Sequence, residues 1–372
     1  MWHSIFLSMA NQRQVKENPR LSHRQHLLLA KDHQKAAEAA KLVYVTDQQP
    51  GISRIKKGKG YVYQYKGKPL SNAKHLERIR KLAIPPSWSN VWISYDPAGH
   101  IQATGLDLNK RKQYRYHAKW NELRGETKFH RLFEFGKALP LIRKKIKKDM
   151  ATKELTDTKV VATAIDLMEK TYIRVGNNEY EKMYGSYGLT TLKDKHVKLG
   201  KEKIEFVFVG KKGIEHHITL TDKRLARIIK ECRDVPGKQL FQFYTAAKKH
   251  RPIDSGMVNH YIKEAAGQDF SAKDFRTWAG TLEALECLRT LEDVPDEKLV
   301  KKNMLDVLDK VSARLGNTRA VCKKYYIHPG LFQLYEEKKL SGCIQECGKK
   351  STHKGDFSPR ERLLLGILEK CS

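Results

Sequence analysis

Long apolar segments are absent from the 372-residue sequence. It has no run of about 18 uncharged apolar residues, so no transmembrane helix is expected. The first ten residues contain an apolar run too short for a signal peptide, and no Lys or Arg precedes it. The six cysteines are few and irregularly spaced, which is typical of free thiols in a reducing compartment. We therefore expect a cytoplasmic protein with no membrane partner.

Two familiar kinds of catalytic residue set are also missing. No Gly-x-x-x-x-Gly-Lys-Ser/Thr loop is present, so a nucleotide-binding loop of that type is not expected. No carboxylate cluster of the kind that a two-metal nuclease needs can be found in the sequence. We therefore expect no metal site and no small-molecule cofactor.

Acidic residues are heavily outnumbered. The chain has 72 Lys and Arg against 42 Asp and Glu, which gives a net charge of +30. This excess favours a polyanionic partner, either nucleic acid or an anionic membrane surface, and makes a neutral metabolic enzyme a poor interpretation. The hydrophobic fraction of 40% is sufficient for packed cores, so wholesale disorder is excluded.

Composition and periodicity divide the sequence into four segments and predict an α+β fold. We expect a basic extension over residues 1–40 and a small β-rich domain over residues 41–127. A larger, mainly α-helical domain over residues 128–340 and a tail with one helix over residues 341–372 follow. The strands of the β-rich domain are predicted from alternating aromatic and polar residues, as over residues 60–65.

Helices in the larger domain are predicted from apolar residues three to four positions apart. The stretch from Phe129 to Lys148 should be kinked or divided at Pro140, because proline removes a backbone hydrogen bond. Ser271 followed by Asp274 predicts a capping box at a helix start. Later helices are predicted at 222–234, 255–266, 271–289 and 300–316.

A β-hairpin is predicted inside this helical domain, with strands over residues 204–209 and 214–220. Its tip contains two lysines bounded by glycines, and Lys211 is the first of them. One interpretation is that Lys211 is simply exposed to solvent. The other is that the hairpin carries Lys211 into a phosphate-bearing groove, where a lowered pKa would let it donate a proton.

Lys273 and Arg276 lie three residues apart near a predicted helix start, and therefore on one helix face. Cations there oppose the helix dipole, whereas a bound phosphate would be attracted by both side chains and by the helix N–H groups. Arg174 ends its own helix, where a cation is favourable for stability alone. The adjacent Tyr325 and Tyr326 are more typical of a core or an interface than of a nucleophile when taken alone.

The densest mixture of basic and aromatic residues lies near the end of the β-rich segment. Alternation along a strand places Gln113 and Arg115 on one side and Tyr114 and Tyr116 on the other. This pattern fits a strand that contacts nucleic-acid phosphates and bases, and equally a solvated edge strand with its aromatics in the core. The candidate nucleic-acid-binding residues are Lys110, Arg111, Lys112, Gln113, Tyr114, Arg115 and Tyr116.

Six of these chemical candidates follow one another in a recognisable order: Arg174, Lys211, Lys273, Arg276, Asn317 and Tyr326. The stretches that contain them are residues 172–177, 208–213, 273–278, 315–318 and 326–329, joined by residues 83–88, 99–105 and 112–117 in the β-rich segment. Together they resemble the type IB DNA topoisomerases, in the short poxvirus-like and bacterial form. The resemblance covers roughly residues 55–335, and its several independent motifs make it specific.

The resemblance implies that Tyr326 attacks a DNA phosphodiester to give a 3′-phosphotyrosyl link and a free 5′-hydroxyl. Tyr325 is the competing choice, and the Tyr-Ile-His-Pro context favours Tyr326. Arg174 and Arg276 match the two guanidiniums that hold the non-bridging phosphate oxygens.

Three further roles are implied in the same way. Lys211 matches the general acid that protonates the leaving 5′-oxygen, and Lys273 matches a supporting cation beside it. Asn317 stands where relatives have His, and an amide can donate a hydrogen bond to phosphate but cannot add charge or shuttle a proton.

For the whole chain, the resemblance implies a monomer that closes as a C-shaped clamp around duplex DNA. It would relax supercoils of either sign without ATP or an obligatory metal, and would be associated with the nucleoid if the source is bacterial. A tyrosine recombinase is the nearest alternative, but it typically has His at the position of Lys273 and a helical N-terminal module. A non-catalytic basic DNA-binding protein explains the charge but not the ordered set of residues.

Overall fold

The computed structural model describes residues 21–58, 60–245, 247–291, 296–349 and 355–371. The chain divides into two compact units, a first unit up to Thr127 and a second unit from Lys128 onward. Residues 1–20 of the predicted basic extension lie outside the described residues. No helix in the described ranges is long and apolar enough to cross a membrane.

The first unit is built on a six-stranded antiparallel sheet with the order β3-β2-β1-β4-β5-β6. Both edges are short strands, and β6 pairs only with β5. The strands are β1 (Ile52–Lys57), β2 (Gly60–Tyr65), β3 (Lys68–Pro69), β4 (Ser89–Ile93), β5 (Ile101–Leu106) and β6 (Lys112–Tyr116). The helices are α1 (His23–Lys31), α2 (His33–Ala39) and α3 (Ala73–Lys81), and helix α4 (Ala118–Asp149) contains the division point.

The first unit has two hydrophobic clusters. In one, Ile79 of α3 packs with Ile52, Val91, Ile93 and Ala103 from three neighbouring strands. Each fully buried Ile or Val contributes roughly 1.5–3 kcal/mol, so these inward residues hold α3 on the sheet.

The other cluster joins Leu29 of α1 and Ala36 of α2 to Trp120 and Leu123 of α4. Helices α1 and α2, which fall in the segment that we expected to be a basic extension, therefore pack against α4 within the first unit. Small alanines at this contact allow the helices to approach closely, and a hydrophobicity pattern with few large residues does not reveal such packing.

The second unit is mainly helical. Its helices are α5 (Asp157–Thr171), α6 (Asn178–Tyr184), α7 (Lys223–Arg233), α8 (Ser255–Ala266), α9 (Ala272–Leu288), α10 (Glu297–Leu315), α11 (Arg319–Tyr325), α12 (Pro329–Glu336), α13 (Leu340–Lys349) and α14 (Pro359–Cys371). Its strands are β7 (Val197–Leu199), β8 (Lys203–Val209), β9 (Glu215–Thr221), β10 (Gln242–Tyr244) and β11 (His250–Pro252). A mixture of helices and antiparallel sheets confirms the predicted α+β class.

The predicted hairpin is present as β8 and β9, with Val209 opposite Glu215 at its end. The predicted capping box is also present, since the Asp274 carboxylate accepts a hydrogen bond from Ser271 N at 2.9 Å. Four of the helices begin and end within a few residues of the predicted bounds.

Pro140 lies inside the single helix α4, so the alternative in which proline divides the helix is wrong, while the alternative of a kink stays a prediction. A mid-helix proline costs about 3 kcal/mol. Leu139, Ile142 and Ile146 are 0–2% exposed on the same helix, and their burial in the main core offsets that cost.

Candidate active site

Arg174 is positioned by an abrupt chain reversal at the end of α5. The helix ends at Thr171, and Tyr172 adopts a left-handed conformation with φ 59°. The chain then runs beside residues 188–190, where Leu189 N donates to Arg174 O at 2.8 Å. A Cβ on Gly188 would lie 2.6 Å from Arg174 O, so only glycine permits this approach.

Arg276 lies in the first turns of α9 and is 5% exposed. Its Nη1 donates to Tyr172 O, and its Nη2 donates to Leu315 O at 2.6 Å. Among the described residues, its buried Nε has no hydrogen-bond partner. The guanidinium thus spans the ends of α5 and α10, and the left-handed turn at Tyr172 supplies one of its anchors.

The Arg174 guanidinium is held at the end of α10. Its Nη2 donates to Gly316 O at 2.7 Å and to Asn317 Oδ1 at 2.6 Å. Gly316 adopts a left-handed conformation with φ 59°, and Asn317 N donates to Ser312 O at 3.0 Å. Asn317 therefore acts as an acceptor that orients Arg174.

Tyr326 is anchored to the same helix that carries Arg276. Its carbonyl accepts a hydrogen bond from Thr281 Oγ1 at 3.2 Å. A Cβ on Gly280 would lie 2.6 Å from that carbonyl, so the glycine lets the segment approach α9 closely. Arg276 Cζ lies 5.3 Å from the centroid of the Tyr326 ring. The geometry thus brings Tyr326, Arg174, Arg276 and Asn317 together.

The two guanidiniums have few sources of negative charge around them. The acceptors described above are three backbone carbonyls and one amide oxygen, all neutral. Burial and the neighbouring Arg276 lower the pKa of Arg174 to about 10, which leaves it charged at neutral pH. Burial also lowers the pKa of Arg276, and the phenol of Tyr326 opposes that effect. Among the described residues neither cation has a carboxylate partner, and a buried and a partly buried guanidinium of this kind are suited to bind an anion.

Tyr325 and Lys273 lie in a different environment. Tyr325 is 41% exposed, and Lys273 Nζ lies 6.0 Å from its ring centroid. Lys128 of α4 donates to Tyr325 O, and its Nζ lies 5.8 Å from the Tyr326 ring centroid. Burial, with a smaller effect of Lys273, lowers the pKa of Lys128 to about 7. Lys273 thus lies near Tyr325, and its charge acts on Lys128.

Lys211 lies at the hairpin tip, beside a cavity of about 620 Å³. Its Nζ is 5.8 Å from the ring centroid of Tyr180 on α6. Residues lining the cavity include Arg174, Gly176, Tyr180, Tyr184, Tyr187 and Lys211. Lys211 and Arg174 therefore border one open space.

The predicted nucleic-acid-binding strand is β6, at the edge of the sheet in the first unit. Tyr114 and Tyr116 are stacked with centroids 5.6 Å apart and are 42% and 38% exposed. The interpretation that places these aromatics in the core is therefore wrong. Both side chains belong to the last strand of the sheet and are exposed.

Several polar residues of this strand already have partners. The Asp107 carboxylate accepts from Arg111 Nη2 at 2.8 Å and from Gln113 Nε2 at 3.0 Å. Lys112 forms an ion pair with Asp47 at 2.5 Å. Arg115 Nη2 donates to Ala83 O at 2.9 Å, while Lys110 is exposed at the preceding turn. Part of the positive charge of the segment is thus neutralised locally.

Sequence reasoning missed three residues that hold the tyrosine segment: Gly280, Thr281 and Lys128. Gly280 and Thr281 follow Arg276 by four and five residues, so the turn after Arg276 was the signal that could have drawn attention to them. Lys128 is separated from Tyr325 by 197 positions, and no local pattern connects them.

Two known protein families match parts of the chain. The family described as eukaryotic DNA topoisomerase I, catalytic core, matches residues 117–350. The family described as bacterial DNA topoisomerase IB, N-terminal domain, matches residues 60–107.

Individual relatives give the same result. DNA topoisomerase 1B of Acanthamoeba polyphaga mimivirus is 33% identical over 294 residues, which cover 77% of this chain and 88% of the relative. DNA topoisomerase I of monkeypox virus is 25% identical over 65% of this chain and 74% of the relative. The fold and these matches place the chain among the DNA topoisomerases. The chain belongs to the type IB DNA topoisomerase family, as the motifs predicted.

Proposed function

We propose that this protein relaxes supercoiled duplex DNA of either sign by cutting one strand, allowing it to rotate and resealing it. Tyr326 is the nucleophile in this proposal. The observation that carries it is the contact between Tyr326 and Arg276, next to a second guanidinium with only neutral acceptors. A scissile phosphate would supply the negative charge that the buried Arg276 and the partly buried Arg174 lack.

In the cleavage step, Tyr326 Oη forms a bond to phosphorus while the bond from phosphorus to O5′ breaks. The phenol proton leaves to solvent, and the Lys211 ammonium gives a proton to O5′. In the transition state negative charge accumulates on the non-bridging oxygens, where Arg174 and Arg276 provide fixed, fork-shaped donors. The step leaves a 3′-phosphotyrosyl link and a free 5′-hydroxyl.

The remaining two residues of the set act more indirectly. Asn317 holds Arg174 through the 2.6 Å hydrogen bond to Nη2, so its amide orients the cation. Lys273 lies next to Tyr325, and it adds positive charge to the segment that carries the nucleophile.

Resealing reverses the same exchange. The 5′-hydroxyl attacks the phosphotyrosyl phosphorus, Tyr326 leaves, and Lys211 takes the proton back. The covalent link conserves the free energy of the phosphodiester, so the cycle needs no ATP. The guanidiniums provide the charge stabilisation that metal ions supply in other phosphoryl-transfer sites, so relaxation should persist in EDTA.

Duplex DNA is the proposed partner of both units, which would close around it as a C-shaped clamp in a monomer. The net charge of +30 supports this proposal, as do Lys110, Arg115 and the exposed pair Tyr114 and Tyr116 on β6. Most of these contacts would be to phosphates and independent of sequence. We place the activity in the cytoplasm, on the nucleoid if the source is bacterial.

The test is relaxation of supercoiled plasmid in EDTA without ATP by the wild type, by Tyr326→Phe and by Tyr325→Phe. The Tyr325 variant is a matched control, because it removes the same hydroxyl one residue away. We expect relaxation by the wild type and by Tyr325→Phe, and none by Tyr326→Phe. Covalent protein–DNA complexes, trapped with denaturant, should follow the same pattern.

Undiminished relaxation by Tyr326→Phe would contradict the proposed nucleophile. Loss of relaxation in Tyr325→Phe alone would transfer the role to Tyr325. Recombination between defined sites in place of relaxation would instead support a site-specific recombinase.

A further inference from the structure

A histidine on the hairpin lies beside the two arginines. Strand β9 alternates between exposed and less exposed residues, so His216 and His217 lie on opposite faces. The side chain of His217 is 69% exposed and lies 3.8 Å from the Glu215 carboxylate. His216 turns inward, and its ring stacks on Phe208 of β8 with centroids 4.8 Å apart. The two neighbouring histidines therefore have different surroundings.

Two glycines make room for the His216 ring. A Cβ on Gly210, the residue before Lys211, would lie 2.6 Å from His216 Nε2. A Cβ on Gly316, the residue before Asn317, would lie 3.1 Å from His216 Cε1. The imidazole thus occupies the space between the start of the hairpin tip and the end of α10.

The His216 ring also lies near the Arg174 guanidinium. A Cβ on Gly316 would lie 3.5 Å from His216 Nε2 and 3.7 Å from Arg174 Nη1. Both hydrogen bonds described for this guanidinium come from Nη2, so Nη1 is available to a substrate oxygen. Both atoms therefore border the space next to Gly316, and Arg174 is near enough to lower the pKa of the imidazole.

The charges around His216 also favour an anion. Burial lowers the pKa of His216, and Arg174 and Arg276 lower it further. In the absence of DNA the ring is therefore neutral near pH 7, with one N–H to donate. A phosphate bound between the guanidiniums would oppose their effect and raise the pKa of the imidazole.

We propose that His216 is a further catalytic residue of this active site, whose Nε2–H donates a hydrogen bond to a non-bridging oxygen of the scissile phosphate. The inference rests on the proposed function, since it requires a phosphodiester between Arg174 and Arg276. Asn317 directs its amide oxygen to Arg174. Asn317 Nδ2 donates to Leu315 O at 3.4 Å. An imidazole from the hairpin would then supply a hydrogen bond to the phosphate.

The first test compares His216→Leu, His216→Gln and the matched control His217→Gln in single-turnover cleavage of a duplex oligonucleotide. Loss of a hydrogen bond to a charged group should slow covalent-complex formation by His216→Leu by about 10- to 100-fold. Gln retains a donor of similar reach, so His216→Gln should be several-fold faster than His216→Leu. His217→Gln should cleave like the wild type, and all variants should bind the duplex equally well.

The second test is a pH titration of histidine ring signals by NMR, in the non-cleaving Tyr326→Phe background. Addition of the duplex should raise the pKa of His216. Assignment comes from loss of each signal in the corresponding glutamine variant.

Wild-type cleavage by His216→Leu would overturn the proposal. Equal defects in His216→Leu and His216→Gln, with no change in the pKa of His216 on DNA binding, would reduce the ring to a packing role and also overturn it. In both cases cleavage by the wild type and none by Tyr326→Phe would leave the proposed function intact. If the wild type formed no covalent complex, the proposed function would fail, and the titration would still decide whether His216 meets DNA.

Discussion

The second unit contains two kinds of arginine that are at least partly buried, and they differ in the charge of their partners. Arg143 of α4 lies between two carboxylates, with Nη2 2.6 Å from Glu169 Oε1 and 2.5 Å from Glu361 Oε1. Arg174 and Arg276 have carbonyl and amide oxygens as acceptors. Since a buried cation without a counter-charge costs free energy, the second arrangement needs an explanation outside stability.

The pKa values of these arginines move in opposite directions. The two carboxylates raise the pKa of Arg143, against the lowering effect of its burial. Burial lowers the pKa of both Arg174 and Arg276. The charge of Arg276 lowers the pKa of Arg174 further. The difference teaches that a buried arginine alone is no indicator of a site. The neutrality of the hydrogen-bond acceptors distinguishes the pair that we propose binds substrate from the structural arginine.

The largest expected effect is on catalysis by Arg276→Ala. Removing one preorganised donor from the transition state should slow single-turnover cleavage by on the order of 10²–10³-fold. Arg276→Lys should recover little, because an ammonium cannot hold Tyr172 O and Leu315 O and still present a fork to phosphate. Trapping of the covalent complex over time measures both rates. If Arg276→Ala cleaved within about threefold of the wild-type rate, Arg276 would not belong with the arginines that bind substrate.

Arg143→Ala should give the opposite result. It leaves Glu169 and Glu361 partly buried without their cation, which should lower the free energy of unfolding by on the order of 3 kcal/mol. Cleavage measured well below the unfolding temperature should stay near the wild-type rate. Urea unfolding followed by circular dichroism provides the stability, and Lys147→Ala, at an exposed ion pair with Asp356, is the matched control. Unchanged stability with slow cleavage would place Arg143 in the catalytic group instead.

Local patterns predicted the elements that carry the site. The capping box at Ser271 and the glycine-bounded lysines at the hairpin tip depend on neighbouring residues, and both are present. Helix α4 is not divided at Pro140, because burial of distant partners outweighs a local preference. Local rules state the cost of a residue but not the long-range packing that offsets it.

Long-range neighbours could not be predicted from spacing. Lys273 and Arg276 lie three residues apart on α9, as expected, but their spacing did not reveal that Lys273 Nζ lies 6.0 Å from the Tyr325 ring centroid or that its charge acts on Lys128. His216 and Gly316 are a hundred positions apart, and only the fold brings the imidazole to Arg174. Sequence order identified the family, whereas the charge and hydrogen bonding of each site residue came from the structure.

The smallest expected effect extends the comparison to the basic strand of the first unit. Lys112 is paired with Asp47 at 2.5 Å, whereas the described residues give no carboxylate partner to the exposed Lys110. A cation free to replace counterions on DNA contributes fully to the salt dependence of binding, and a paired one contributes less. Lys110→Ala should therefore reduce the slope of log Kd against log salt by about one, and Lys112→Ala by clearly less. Fluorescence anisotropy on a labelled duplex from low to moderate salt measures both slopes.

Because exposed ion pairs contribute only about 0–1 kcal/mol, neither variant should unfold measurably more easily. Equal slopes for the two variants would mean that Asp47 releases Lys112 when DNA binds, and the distinction between paired and unpaired cations would then hold only for buried groups.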